Sequence, residues 1–288
     1  MTITTQSSKR SRFKIREFFI NSALYLQLTF AALVVLFPVV WIVGSSFGNT
    51  TSLAQSRPIP TEPTISNYSR LINNTDYIQW YKNTLFVAGV NMVFSVMVST
   101  LTSYAFARFS FKGKKAGLIS ILVLQMFPTF LGMTAIYILF LNFQLLDNLW
   151  GLALIYIAGQ IPYNTWLMKG YMQNIPKSLD EAALIDGAGK LRIFSSIIIP
   201  LAFPMITFLA VSTFMAPWMD YILPRLLISS DSKKTLAIGL YEMINTETNS
   251  NFTMFASGAV LVAVPITLLY MSLQRFLIHG ITAGASKE

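Results

Sequence analysis

Apolar residues dominate this chain in long runs, and the runs have a consistent length. A helix needs about 20 consecutive apolar residues to cross a bilayer. Six windows of that size occur, at residues 22–47, 84–107, 117–141, 149–170, 201–223 and 254–276. The rare charges within them, such as Lys169 and Asp220, stand near a window's end. The pattern predicts an all-α integral membrane protein with six transmembrane helices. A first helix spans residues 21–48, and a core membrane domain of five more spans residues 83–277. Short tails precede and follow them, at residues 1–20 and 278–288.

One segment interrupts the pattern. Residues 177–200, KSLDEAALIDGAGKLRIFSSIIIP, form a polar island between the fourth and fifth runs. Pro176 ends the preceding helix, and Ser178 followed three residues later by Glu181 has the spacing of a capping box that starts another. A short helix is expected from Leu179 to Asp186. Gly187 stands where a left-handed, helix-ending residue is wanted, with Ala188 and Gly189 keeping the turn slim. Leu191 to Ile199 then rebuild an apolar helix that is expected to stop at Pro200. Ala182 and Ala183 carry little side chain, so this helix can seat closely against another protein, with Glu181 and Asp186 available to its basic residues.

Composition agrees with the runs. The chain is 54% hydrophobic and 11% charged, with a mean hydropathy of +0.57, whereas soluble domains carry about 25% charged residues. Fifteen of the Lys and Arg residues fall at the N-terminal tail, the 108–116 loop, the island and the C-terminal tail; six fall on the opposite flanks. Positive charge is retained on the cytoplasmic side, so both termini and the island are expected there, in a multi-pass cell-membrane protein. The net charge of +9 is accounted for by these flanks and by anionic membrane lipids, and nucleic acid is not an expected partner. Trp80, Tyr81, Trp150, Trp218 and Tyr221 mark the outer membrane interface, and Trp166 and Tyr171 the inner one.

The chemistry available inside the spans is narrow. No ionisable residue falls in the middle of one, which disfavours an ion-coupled carrier, since such carriers need intramembrane proton or ion sites. Neutral polar residues do recur. Asn91, Ser95, Ser99 and Thr102 lie at helical spacing on one face, where they either line a path for a hydroxyl-rich solute or hydrogen-bond one helix to another. Pro38, Pro128, Pro204, Pro217 and Pro265 would allow kinks of the kind a gated bundle uses. Gly187-Ala188-Gly189-Lys190 is not a phosphate loop, because Leu184 and Leu191 occupy positions that need Gly and Ser or Thr. There is no cysteine, no metal-ligand cluster and no catalytic constellation with a spacing logic. No catalytic residue and no bound cofactor or metal are therefore expected, and a transporter built this way needs an external engine.

Glu181-Ala182-Ala183, three residues, Gly187, nine residues, Ile197, one residue, Ile199 and Pro200 resembles the EAA motif of binding-protein-dependent ABC importer permeases, with Ile199 replacing the usual Leu. The C-terminal stretch from Gln274 to Gly284 and the stretch from Thr235 to Leu240 resemble the MalG-like, maltose and maltodextrin branch of that family. The resemblance implies the type I (MetI-like) importer fold and a non-catalytic permease subunit of a sugar importer. It implies four kinds of partner: a second, MalF-like permease, two ABC ATPase subunits that carry ATP and Mg2+, an extracytoplasmic sugar-binding protein, and lipid. Glu181, Ala182, Ala183, Asp186, Gly187, Ala188 and Pro200 become the expected ATPase-coupling residues. Asn245, Thr246, Glu247, Thr248 and Asn249 become the expected docking residues for the binding protein, and no substrate ligand is assigned. Alternatives are an ABC permease for another oligosaccharide or for glycerol phosphate, and, in a different class, a stand-alone channel or ion-coupled carrier.

Overall fold

The structure is a computed structural model. It describes the backbone of residues 4–126, 129–245 and 251–285, and side chains over 20–126, 130–245 and 251–274. The described residues are helical with short connections, and contain no strand. In order they form α1 (Thr4–Ser46), α2 (Ser66–Asn74), α3 (Tyr77–Arg108), α4 (Lys114–Met126), α5 (Thr129–Asn142), α6 (Leu149–Asn174) and α7 (Lys177–Ile185). These are followed by α8 (Lys190–Ile193), α9 (Ile199–Met219), α10 (Ile222–Leu227), α11 (Leu236–Asn245) and α12 (Phe252–Ala285). A π-helical turn, Phe194–Ile198, joins α8 to α9, giving one 30-residue rod from Lys190 to Met219.

Four described helices are long and apolar enough to span a bilayer: Ile20–Ser46, Tyr77–Arg108, Lys190–Met219 and Phe252–Gln274. Residues 117–141, expected as one span that Pro128 could kink, are two helices, Lys114–Met126 and Phe130–Asn142, inclined at 101°. The sequence places Pro128 between them, a residue with no backbone N–H that also disfavours helix at the residue before it. Helix α6 is long enough at 26 residues, but Gln160, Pro162 and Asn164 lower its apolar character below that of the other four. The described helices thus supply four spans, or five if the bent pair counts as one.

Helix α3 is the hub, packed on both α6 and α9, whereas α1 leans chiefly on α12 and its described side chains before the last turn are largely exposed. In lipid there is no hydrophobic drive between helices, so close packing and interhelical hydrogen bonds must hold such a bundle. The buried face of α3 accordingly carries Asn91, Ser95, Ser99 and Ser103 at four-residue spacing. Asn91 Nδ2 donates to the Thr213 carbonyl of α9 at 2.7 Å, and Ser95 Oγ donates to Asn91 Oδ1 at 2.9 Å. Ser103 Oγ donates to the Thr165 carbonyl of α6 at 2.9 Å. The stripe is helix-to-helix glue rather than an open path, and its fourth member is Ser103, not Thr102, which is only partly buried.

The expected aromatic belts are partly internal. Trp80 and Trp218 are buried with Leu71, Tyr77, Leu236 and Leu240 in one cluster, while Trp150 is exposed and meets Phe86 edge-on, with centroids 4.9 Å apart. At the start of α2, Asn67 Nδ2 donates to the Ser46 and Gly48 carbonyls at 2.9 and 2.7 Å, tying the end of α1 to α2. Ser257 of α12 donates to the same Ser46 carbonyl at 3.1 Å. These bonds satisfy carbonyls that the last turn of α1 leaves without helical partners.

Candidate functional site

The island folds as a short helix, a tight turn and a long rod. Its start differs from the expectation. Helix α7 begins at Lys177 with Pro176 as N-cap and no side-chain capping bond, so the Ser178–Glu181 capping box does not form. Ser178 already lies inside the first turn, where its hydroxyl is no longer placed to receive the N–H of the third helical residue.

Its end matches closely. Gly187 has φ +81°, the left-handed conformation that costs a side-chain-bearing residue about 1–2 kcal/mol. Ala188 N–H donates to the Ala183 carbonyl at 2.9 Å and Gly187 N–H to the Leu184 carbonyl at 3.0 Å, the paired bonds of a Schellman stop. A Cβ on Gly187 would meet no atom within 4 Å, so backbone conformation alone demands the glycine. Pro200, expected to stop the following helix, lies instead within the first turn of α9. The π turn before it shifts the hydrogen-bond register, with Ile199 N–H donating to the Phe194 carbonyl, and so accommodates a residue that has no N–H to give.

The segment is anchored to the last turn of α3. Arg108 Nε lies 2.8 Å from Asp180 Oδ2, with the two side chains 4% and 16% exposed. Arg108 Nη2 also donates to the Ile175 carbonyl at the end of α6, at 3.0 Å. On the far side of the turn, Tyr104 Oη donates to the Lys190 carbonyl at 3.2 Å, and Lys190 Nζ stands 4.9 Å over the Phe109 ring. Beneath the turn, Ala183 and Ala188 pack on a buried cluster that includes Tyr104, Met168, Met172, Ile193 and Phe194.

The alanine pair therefore divides its work. Ala183 faces the protein's own core and only Ala182 is exposed, alongside Glu181, Asp186 and Gly187. What projects outward is bulkier than the sequence reading supposed: Ile185 is 87% exposed and Leu191 77%, with Leu184 and Leu179 also exposed. A rim of Glu181 and Asp186 around apolar knobs is a surface suited to a protein groove lined by basic residues. Nothing in the sequence singles out Asp180 and Arg108: Arg108 reads as one more membrane-flank charge, and Asp180 belongs to no motif.

At the opposite end of α3, the connection before α11 is stapled down. Asn83 Nδ2 donates to the Ser232 and Lys234 carbonyls, both at 2.9 Å. Asp147 accepts from the Ser229 and Ser230 N–H groups at 3.0 and 2.8 Å, and from Lys233 Nζ at 3.0 Å. Partial burial opposes ionisation of Asp147, but these donors outweigh it and hold its carboxyl well below the usual carboxylate range. Lys234 bridges Asp231 at 2.6 Å and Glu242 at 2.5 Å; its desolvation is outweighed by the two carboxylates, which raise its pKa. Of the expected docking residues, Asn245 is the exposed last residue of α11. Thr246, Glu247, Thr248 and Asn249 lie outside the described residues. Among the described residues no group of His, Asp and Glu is placed to hold a metal ion.

Comparison with known proteins places this geometry. Residues 97–282 match the family of binding-protein-dependent transport system inner membrane components. The chain is 42% identical, over 91% of its length and 95% of the relative's, to the maltodextrin transport system permease protein MdxG of Bacillus subtilis. It is 38% identical, over 95% of its length and 98% of the relative's, to the galactooligosaccharides transport system permease protein GanQ of the same organism. Its fold superposes with a TM-score of 0.78, at 25% identity, on a chain of a bacterial ABC transporter involved in the import of the acidic polysaccharide alginate, covering 91% of this chain and 97% of that one. A methionine ABC transporter in an inward-facing conformation shares the fold at a TM-score of 0.54, covering 70% of this chain and 95% of that one. With the helix, its glycine stop and the α9 rod all falling inside the matched residues, the chain belongs to the binding-protein-dependent transport system inner membrane component family.

Proposed function

We propose that this chain is a permease subunit of an ATP-driven importer for maltodextrins, forming half of a translocation pathway with a second, MalF-like permease. The observation that carries the substrate class is the 42% identity to a maltodextrin permease along nearly the whole chain. The geometry supports the mode of action. Helix α7 presents exposed apolar residues on a segment held to α3. Two ATPase subunits binding ATP and Mg2+ would engage this surface through Glu181, Ala182, Asp186, Gly187 and the exposed Leu184 and Ile185. Their closure would move α7 and, with it, the bundle. An extracytoplasmic binding protein would deliver sugar at the opposite end, near Asn245 and the residues that follow. In this reading α6 crosses the membrane despite its polar residues because α3 covers them, which makes six crossings with both termini cytoplasmic.

A second reading, galacto-oligosaccharide import, is favoured by the 38% identity to a permease for those sugars over 95% of the chain. Uptake by proteoliposomes holding the complete complex, with labelled maltotriose and labelled galactobiose offered separately, decides between them. ATP-dependent maltotriose entry is expected. Preferential galactobiose entry would select the second reading, and entry of either sugar into liposomes holding this chain alone would overturn the importer reading.

A further inference from the structure

The two ends of the coupling segment meet on one turn of one helix. Asp180, near the start of α7, pairs with Arg108; Lys190, just past the glycine turn, accepts a hydrogen bond from Tyr104 and covers Phe109. Tyr104, Arg108 and Phe109 are the last turn and C-cap of α3. The same Arg108 also holds the Ile175 carbonyl, where α6 ends. Between these ties, Ala183 and Ala188 pack against the buried cluster that includes Phe194 and Met172. Farther along α3, Asn91 grips the Thr213 carbonyl of α9 and Ser103 the Thr165 carbonyl of α6.

We propose that Arg108 is the positioning residue that makes α7 and the C-terminal turn of α3 a single lever. The proposal rests on the importer reading above. A short helix with no buried residue of its own has little packing to resist being pushed aside. Without a tie, an ATPase partner bound to Ile185 and Leu184 would swing α7 about Gly187 and Pro176, and its motion would end there. The guanidinium removes that freedom because it is permanently charged and carries several N–H groups, so one group can hold the Asp180 carboxylate as an ion pair and the Ile175 carbonyl by a hydrogen bond. The pair is almost dry, which keeps it from being screened by salt, and breaking it leaves one buried charge without its partner. Force applied to α7 is then delivered to α3, and from α3 through its polar stripe to α6 and α9.

Coupling between sites typically spans about 5–150-fold, and the measurement is sugar taken up per ATP hydrolysed by assembled, purified complexes in proteoliposomes. For Arg108→Gln and Asp180→Asn the ratio is expected to fall about tenfold or more while the ATPase subunits still co-purify. Arg108→Lys, which retains the charge but not the fork, is expected to fall between these and the parent. The exchange Arg108→Asp with Asp180→Arg guards against simple loss of folding, and is expected to recover much of the ratio. A parent-like ratio in Arg108→Gln, or an assembled exchange variant no better than either single variant, would overturn the lever. So would single variants that lose only assembly and are rescued in assembly but show no change in ratio. The parent complex is the control for the function itself: its failure to import sugar would count against the importer reading, independently of the variants.

Discussion

The indole of Trp80 lies so close over Gly239 that a Cβ there would stand 2.1 Å from Trp80 Cε3. This contact is where α11 meets the first turns of α3. It fixes the height at which the stapled connection from Ile228 to Thr235 sits on the bundle. Overpacking a tight site costs about 1–3 kcal/mol, and a rigid ring wedged among Leu71, Tyr77 and Trp218 has few rotamers to yield. Gly239→Ala is therefore expected to lower the midpoint of thermal unfolding in detergent. Gly258→Ala should cost less, because its added Cβ meets the flexible end of Leu240, at 2.4 Å, before anything else.

Gly187 poses the opposite problem, with open space and a demanding backbone. Gly187→Ala should assemble with the ATPases yet import sugar more slowly, since the left-handed conformation costs an alanine about 1–2 kcal/mol and the turn would open. Gly187→Asn should be milder, because Asn tolerates that conformation. Uptake rates of the two variants in membrane vesicles check the order; an alanine variant faster than the asparagine one would contradict it.

Asp147 sets a pH expectation for the outer connection. Its carboxyl is held below its ordinary value, so the stabilisation it gives is present above the ordinary carboxylate pKa and is lost only as pH falls through the lowered one. Between pH 5 and 8 the staple is therefore expected to be constant. Hydrogen exchange at the Ser229 and Ser230 amides should scale with the intrinsic rate alone over that range. Asp147→Asn, which removes the charge that Lys233 and the two amides share, should speed exchange at both sites.

The polar stripe on α3 predicts modest energies. Interhelical hydrogen bonds inside membranes average about 0.6 kcal/mol, so Ser103→Ala, which breaks the bond to α6, should shift unfolding by roughly that amount; Ser95→Ala, whose bond to Asn91 stays within α3, should shift it less, and both should leave sugar uptake near the parent rate. A variant that alters the preference among sugars would instead put the stripe on the solute path.

Much of this was legible one residue at a time. The island and the helix-stopping role of Gly187 follow from local preferences and survive into the fold, and four of the six apolar runs appear as helices of spanning length. The capping box did not, since its signature was present but the helix had already begun at Lys177. Residues 117–141 read as one span because their composition is uniformly apolar, and hydropathy is blind to where the chain turns. Ala183 and Ala182 look alike in sequence, and only the packing of α7 on α3 and the α9 rod sends one inward and leaves the other exposed.

By itself the sequence determined that the chain enters a membrane as helices, where its soluble-facing segment lies, and that a left-handed glycine closes that segment's short helix. All three depend on residues near one another, through apolar transfer and backbone sterics. Tertiary structure alone decided which charges meet. Arg108 and Asp180 are separated in sequence by three helices, and each is unremarkable there. Folding brings them to 2.8 Å in a nearly dry site, where a charge must find its counterpart or be expelled, and that requirement is what joins the segment to the end of α3.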